Sequence, residues 1–265
     1  MQLDPRASAA GVRLVSHELL TSTNAEALSL ARAGEQGPLW ITAGRQSAGR
    51  GRRGRTWISE PGNLFATLLL TDAAPVEHWP ELSLVAALAI HDAVAEVAPA
   101  IRPQLAIKWP NDLLLAGAKF AGVLTESEGA DGGVVAVGIG VNCMSHPSDA
   151  DYPATDLAAA GAKVTAAELF ASLSVKMMGR LAQWNRGDHF ATIRTDWLAR
   201  AAGLGDAVRV RLPDDEFAGR FETIDDAGRL VLALADGSRE TISAGDLVQL
   251  VGLARPQERP KSGEG

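Results

Sequence analysis

Residues 81–97, Glu-Leu-Ser-Leu-Val-Ala-Ala-Leu-Ala-Ile-His-Asp-Ala-Val-Ala-Glu-Val, read as one helix that is apolar on nearly every side. A helix with a single apolar stripe lies on a surface, whereas one apolar all round must be covered on all of them. The chain therefore has to build layers about this segment. Pro99 ends it. Its longest apolar run, Leu84–Ile90, is far short of the ~20 residues that a membrane span requires, so the cover is protein. A hydrophobic content of 46% suffices for such a core. A length of 265 residues allows one large domain, or a large one with a small companion.

Strand-like runs occur at Val12–Val15, Leu39–Ala43, Leu64–Leu70, Ala106–Trp109 and Val134–Val141. Leu113–Leu115 and Lys119–Glu126 read as a hairpin about Ala116-Gly117-Ala118. Helices are expected over Ala25–Ala33, Ala166–Trp184 and His189–Ala201, with a loop over 143–156. The pattern breaks at Ala202-Gly203-Leu204-Gly205-Asp206. Beyond it the apolar period is two: Val208, Val210, Leu212, then Phe217 and Phe221, then Leu230, Leu232, Leu234, then Ile242 and Leu247. Turns at Asp225-Asp226-Ala227-Gly228 and Asp236-Gly237 cut this stretch into about five short strands, a small all-β module. The expected organisation is a large domain over 12–202 and a β-module over 206–252. Flexible ends are expected at 1–11 and at 254–265, the latter rich in Pro, Lys, Gly and Glu.

Against a net charge of −7, five arginines and three glycines fall between Arg45 and Arg55. So dense a cluster suits a local grip on an anion, since the guanidinium fork binds phosphate and carboxylate oxygens in pairs. Five like charges are expected to repel one another until that anion arrives. Gly49, Gly51 and Gly54 formally satisfy G-x-G-x-x-G, but no helix follows; a turn leads into Leu64–Leu70, so the dinucleotide reading fails. The loop alone fits a charged surface arm as well as a small-molecule phosphate site. Acidic overall balance argues against nucleic acid as the main partner. The single cysteine, Cys143, excludes an internal disulfide and a cysteine metal cage, and suits a core position in a reducing cytoplasm. The five histidines are scattered, without metal spacing. No G-x-S-x-G elbow exists for a hydrolase triad.

Lys108-Trp109-Pro110-Asn111-Asp112 is the second signal. It sets a point charge, an amide and a carboxylate about a proline turn: phosphate binding from lysine, donor and acceptor from asparagine, Mg²⁺ affinity from aspartate. An ordinary turn would look the same. Lys119 lies across the hairpin, followed by small residues at 121 and 122 that let a flat ligand approach the backbone. Gly138 and Gly140 sit inside a strand, where glycine is costly unless something lies close, a β-bulge being the plainer account. Ser22-Thr23-Asn24 before a helix reads locally as an N-cap.

Together these stretches resemble the biotin–protein ligases, from about residue 12 to 250. The matching residues are Thr21-Ser22-Thr23-Asn24, Gln46 with Gly49 through Arg55 and Trp57, Lys108 through Asp112, Lys119 through Gly122 to Glu126, and Gly138-Ile139-Gly140-Val141-Asn142. The resemblance implies an α+β fold: a mixed sheet with helices packed on one face, related to class II synthetases, followed by a small Src-homology-3-like barrel. It implies biotin and ATP as substrates, Mg²⁺ as cofactor, and the biotin carboxyl carrier domain of a carboxylase as acceptor. Ser22, Thr23, Asn24 and Gln46 would line the ureido end of biotin, over a floor of Gly138 and Gly140. Gly49, Arg50, Gly51 and Arg52 would belong to the loop closing over biotin and the adenylate, with Trp57 on the nucleotide side. Lys119 would bind the biotin carboxylate and the acyl-phosphate oxygen beside Gly122. Lys108, Asn111 and Asp112 would serve ATP and Mg²⁺, with Asp112 on the metal and Asn142 near adenine. Arg50, Arg52 and Lys119 would carry the chemistry. About twenty residues before Thr21 are too few for the winged-helix repressor domain of some members, so no operator binding is expected, and the chain would act as a cytoplasmic monomer or homodimer. A lipoate- or octanoate-transferring relative, and a nucleic-acid module using the arginine loop, are the alternatives.

Overall fold

The computed structural model describes residues 1–129, 133–212 and 215–249. In chain order the helices are α1 (Pro5–Ala9), α2 (Thr23–Arg32), α3 (Leu82–Val97), α4 (Ala166–Trp184) and α5 (Phe190–Leu198). The first seven strands are β1 (Arg13–Leu20), β2 (Leu39–Gln46), β3 (Leu64–Thr71), β4 (Leu105–Lys108), β5 (Asp112–Leu115), β6 (Ala118–Glu128) and β7 (Val134–Val141). Five more follow: β8 (Ala207–Arg211), β9 (Glu216–Ile224), β10 (Leu230–Ala233), β11 (Arg239–Ile242) and β12 (Asp246–Gln249).

The first seven strands form one sheet in the order β1-β2-β3-β7-β6-β5-β4. β1 runs parallel to β2 and every other neighbour is antiparallel, so the sheet is mixed. Side chains alternate between its faces. Trp40, Leu64, Ala66, Leu68, Val135, Val137 and Ile139 point to one face and join the main core with α3 and α4. α3 is buried from Leu82 to Val94 on nearly every side, as its composition demands. Trp40 meets Phe170 of α4 edge-on, 5.4 Å between ring centroids. α4 begins on a capping box, with Thr165 Oγ1 accepting from the Glu168 amide and the Glu168 carboxylate accepting from the Thr165 amide.

The long helices thus cover one face. α2 is an addition to that scheme: Ala27 and Leu28 pack with Leu39, Ile41, Leu69 and Ala136, the alternate residues of the same strands, on the opposite face. The remainder of that second face, beside α2, is where the cavity described below opens.

The last five strands form an antiparallel sheet in the order β11-β10-β9-β8-β12, the small Src-homology-3-like module. Among the described residues no ladder joins β11 to β12. Its apolar residues do not make a separate core. Val208, Val210, Phe221, Ile224, Leu230, Leu232, Ile242 and Leu247 are continuous with the main cluster. Trp109 Nε1 donates to the Gly228 carbonyl (3.0 Å), Phe221 packs on Trp197, and the Arg194 guanidinium donates to the Ile224 carbonyl. Residues 200–202 extend the first sheet, with Ile107 N donating to Arg200 O and Ala202 N to Ile107 O, both 2.8 Å.

One expectation fails at the N-terminus. Residues 1–11, expected to be flexible, contain α1, which buries Ala7 in the main core. Asp4 caps this helix, and its amide donates to Ser174 Oγ of α4 (3.1 Å). So short a helix carries no periodic signal and stands on tertiary contacts. The expectation for 254–265 lies outside the described residues.

Candidate active site

Three glycines leave a bare strip on the second face of the sheet. Gly122 of β6 pairs with Gly140 of β7, and Leu124 with Gly138, so the glycines are neighbours across two adjacent strands. The strip is filled from above by side chains. A Cβ on Gly138 would stand 2.2 Å from Asn24 Oδ1, and one on Gly140 would stand 2.5 Å from Trp57 Cε2. Neither is the bulge that strand glycines commonly mark, because the β6–β7 register runs unbroken through both.

Over this strip lies a cavity of about 370 Å³. Ser22, Thr23, Gln46, Arg50, Gly51, Arg52, Trp57, Asn111, Asp112, Lys119, Gly122, Gly138, Gly140 and Asn142 all line it. The elements that deliver them are the end of β2, the start of α2, the arginine loop, the β4–β5 turn and strands β6 and β7. Residues from separated parts of the sequence thus converge on one site.

Three of the named residues are placed otherwise. Asn24 is 3% exposed and does not line the cavity. Its amide donates to Leu124 O (3.1 Å) and Glu126 Oε2 (2.8 Å), and its Oδ1 accepts from Thr67 (2.7 Å), so it lies on Gly138 on the same face as the cavity and closes that end of the strip. Lys108 does not line the cavity either; it pairs in register with Asp112 across β4–β5. Burial pushes its ammonium below the usual lysine value, against the pull of Asp112. Gly49 is also set back, and its carbonyl accepts from the Trp57 amide (2.9 Å), closing the loop on itself. The N-cap reading of Ser22 holds as well, its hydroxyl accepting from the Ala25 amide at 3.5 Å.

The arginine loop is a tight hairpin. Arg50 bridges Thr56, Gly51 N donates to Arg55 O (2.7 Å), and Arg53 and Gly54 turn the tip with positive φ. Four of the five arginines have side-chain partners, which offset the expected repulsion among them. Arg50 pairs with Glu126 (3.0 Å), and Arg53 and Arg55 both pair with Asp246 of β12. Arg52 Nη1 donates to Asn111 Oδ1 (3.2 Å) and Gly245 O (3.4 Å). Burial lowers the Arg52 pKa, and the Asp246 carboxylate opposes that shift. The β-module therefore holds the loop down.

Lys119 stands at the centre. Its Nζ lies 2.6 Å from Asp112 Oδ1, 5.5 Å from the Trp57 ring centroid and 5.1 Å from that of Tyr152. Such faces attract an ammonium. The loop over 143–156 is fastened to the backbone of the same residue: Lys119 N donates to Pro153 O (2.8 Å) and Thr155 N to Lys119 O (2.9 Å). Tyr152 was missed in the sequence, although it is the chain's only tyrosine. Asp246, Thr67 and Ser59 were missed too. Cys143 is a core residue as expected, and burial pushes its thiol up to about 12.

A family model described as the biotin/lipoate A/B protein ligase family matches residues 17–143, and one described as the biotin protein ligase C-terminal domain matches residues 203–248. The biotin–[acetyl-CoA-carboxylase] ligase of Paracoccus denitrificans is 44% identical over 235 residues, covering 85% of this chain and 96% of that protein. The chain belongs to the biotin protein ligase family. The biotin protein ligase of Leishmania major, solved in complex with biotinyl-5-AMP, is 27% identical with a TM-score of 0.64, over 88% of this chain and 99% of that one. That of Aquifex aeolicus, solved with biotin and ATP, shares the fold at 24% identity and a TM-score of 0.72, over 89% and 97%. In this chain the glycine strip and the arginine loop line one cavity, together with Lys119.

Proposed function

We propose that this ligase attaches biotin to a lysine of a biotin carboxyl carrier domain in two steps at the single cavity over the glycine strip. The observation that carries the residue roles is Lys119, seated between the loop and the strip and paired to a carboxylate it can exchange for a phosphate oxygen. In the first step a biotin carboxylate oxygen attacks the α-phosphorus of ATP, forming the acyl-phosphate bond, and pyrophosphate leaves. In the second the acceptor amine attacks the acyl carbon, AMP leaves with the bonding pair, and the amine proton passes to solvent. No covalent bond to the enzyme is needed, in keeping with a site that offers cations rather than a nucleophile.

Two unit charges at 4 Å repel by about 4 kcal/mol at an effective dielectric of 20, and step one brings a carboxylate against a triphosphate. Lys119, Arg50 and Arg52 offset that repulsion where charge develops. Thr23 and Gln46 offer polar groups to the ureido end. The Thr23 N–H already donates to Gln46 Oε1 (2.8 Å) and its hydroxyl lies 3.1 Å from the same oxygen, so the pair is preset. Trp57 lays its indole ring over Gly140 of the strip, where its Nε1 is buried without a partner.

Among the described residues no three His, Cys, Asp or Glu side chains form a metal cage. Mg²⁺ commonly takes one or two carboxylates together with phosphate oxygens and water. Asp112 fits an ion that arrives with the triphosphate, where it would neutralise phosphate charge. No helix among the described residues is long and apolar enough to cross a membrane. The lone buried thiol of Cys143 and a carboxylase acceptor suit a cytoplasmic place of work.

Exchange of labelled pyrophosphate into ATP tests the first step. It is expected with biotin and not with lipoate or octanoate. Exchange supported by either of those acids and absent with biotin would overturn the assignment.

Arg52 ties the loop both to the β4–β5 turn and to the β-module. Arg52→Gly is therefore expected to shift the loop toward open states and release biotinyl-adenylate, an activated anhydride that any exposed amine can trap. Biotin on serum albumin, read by blot, is expected to rise about tenfold over wild type, equivalent to roughly 1.4 kcal/mol of lost retention. Unlabelled albumin with adenylate still being made would show that Arg52 is no latch.

A further inference from the structure

Glu126 does not line the cavity, yet one of its oxygens joins the strip to the loop. Oε2 accepts from Arg50 Nη2 of the loop (3.0 Å) and from Nδ2 of Asn24, which lies on the Gly138 end of the floor (2.8 Å). We propose that Glu126 is a positioning residue that couples the biotin-binding floor to the arginine loop, holding Arg50 at the cavity mouth through the oxygen that also orients Asn24. The proposal rests on the ligase reading above.

The hydrogen bonds form a circuit. Asn24 Nδ2 gives its hydrogens to two groups that only accept, Leu124 O and Glu126 Oε2, which fixes the amide's orientation. Thr67 Oγ1 lies 2.7 Å from Asn24 Oδ1 and 2.8 Å from Thr23 Oγ1. With the Thr67 hydroxyl donating to Asn24 and the Thr23 hydroxyl to Thr67, the Thr23 N–H donates to Gln46 Oε1 (2.8 Å), Gln46 Nε2 to Ser59 Oγ (2.9 Å), and Ser59 Oγ to Trp57 O (3.1 Å). The path leaves the loop at Arg50 and returns to it at Trp57. A ligand that touches Thr23 and Gln46 therefore lies inside a ring that includes both legs of the loop.

The charge arithmetic favours the same role. Arg50 lines the cavity and, among the described residues, spends one N–H on Glu126 and none elsewhere. Its remaining donors are free for an anion. Without Glu126 a long cation with a half-exposed side chain would sample solvent, and its ordering would be charged against ligand retention. A plain surface ion pair would contribute little and would be independent of the floor.

The test uses the full chain. Glu126→Gln leaves an acceptor for Asn24 and removes the counter-charge for Arg50. Release of preformed biotinyl-adenylate, followed by a chase with unlabelled ligand, is expected to quicken about fivefold. Biotin affinity without ATP, by calorimetry, is expected to move less than about twofold. In an Arg50→Gln background the same change should leave release where Arg50→Gln alone puts it, because the coupling partner is gone. Unchanged release, additive effects in the double variant, or a parallel loss of biotin affinity and melting temperature would each overturn the proposal. Wild type that makes no adenylate would instead overturn the ligase reading itself.

Discussion

Lys119→Ala is expected to cut biotin-dependent ATP–pyrophosphate exchange by a factor on the order of a hundred to a thousand, the loss typical of removing one preorganised charge at a reacting centre. Biotin affinity should fall far less. In the proposed role the ammonium would neutralise a single carboxylate in the biotin complex and would meet the larger charge only as the acyl-phosphate bond forms. The Lys119 side chain meets Asp112 and two aromatic faces, and its backbone is pinned on both sides by residues 153 and 155. Alanine leaves that backbone pairing intact, so the fold should survive. Exchange kinetics measured at saturating biotin decide the matter. Wild-type rates in the variant would remove Lys119 from the chemistry.

Removal of residues 206–265 is expected to destroy the folded state, not merely the activity. The period switch after Gly203–Gly205 marks a boundary between strand patterns but not between cores. Deletion would uncover Trp109 and Trp197, each at most 1% exposed, along with Leu84 and Phe190. It would leave the Trp109 indole N–H and the Arg194 guanidinium without the carbonyls they now meet. Losing the packing of several large side chains, at about 1.5–3 kcal/mol each, exceeds what a domain of marginal stability tolerates. Residues 1–205 should therefore be insoluble, or melt more than about 10 °C below the full chain. A soluble fragment with a cooperative transition near the parent's would show that the first sheet stands alone.

What the sequence disclosed follows from how local each signal is. α3 was legible because its composition alone demands burial, and α4 because periodic residues run the whole length between Ala166 and Trp184. The β5–β6 hairpin was marked by Ala116-Gly117, both with positive φ in the turn. The cavity residues were legible as separate short motifs, but their roles depended on contacts that sequence distance hides. Asp246 holds Arg53 and Arg55 from the far end of the chain. Asn24 belongs to the same motif as Thr23 yet is buried against Gly138 instead of lining the cavity, because one residue's step round the start of a helix turns it toward the sheet. Tyr152 reaches Lys119 because residues 153–155 pair with the edge of β6, in a stretch with no strand pattern of its own. α1 is ordered by Ser174 and a single buried alanine, neither of which a five-residue helix advertises.

The most direct test of the whole account is intact-mass spectrometry of a purified biotin carboxyl carrier domain incubated with this chain, ATP, Mg²⁺ and biotin. A mass gain of one biotinyl group on one lysine, dependent on both ATP and biotin, is expected. An unmodified carrier domain in the presence of folded chain, or equal modification when lipoate or octanoate replaces biotin, would contradict it.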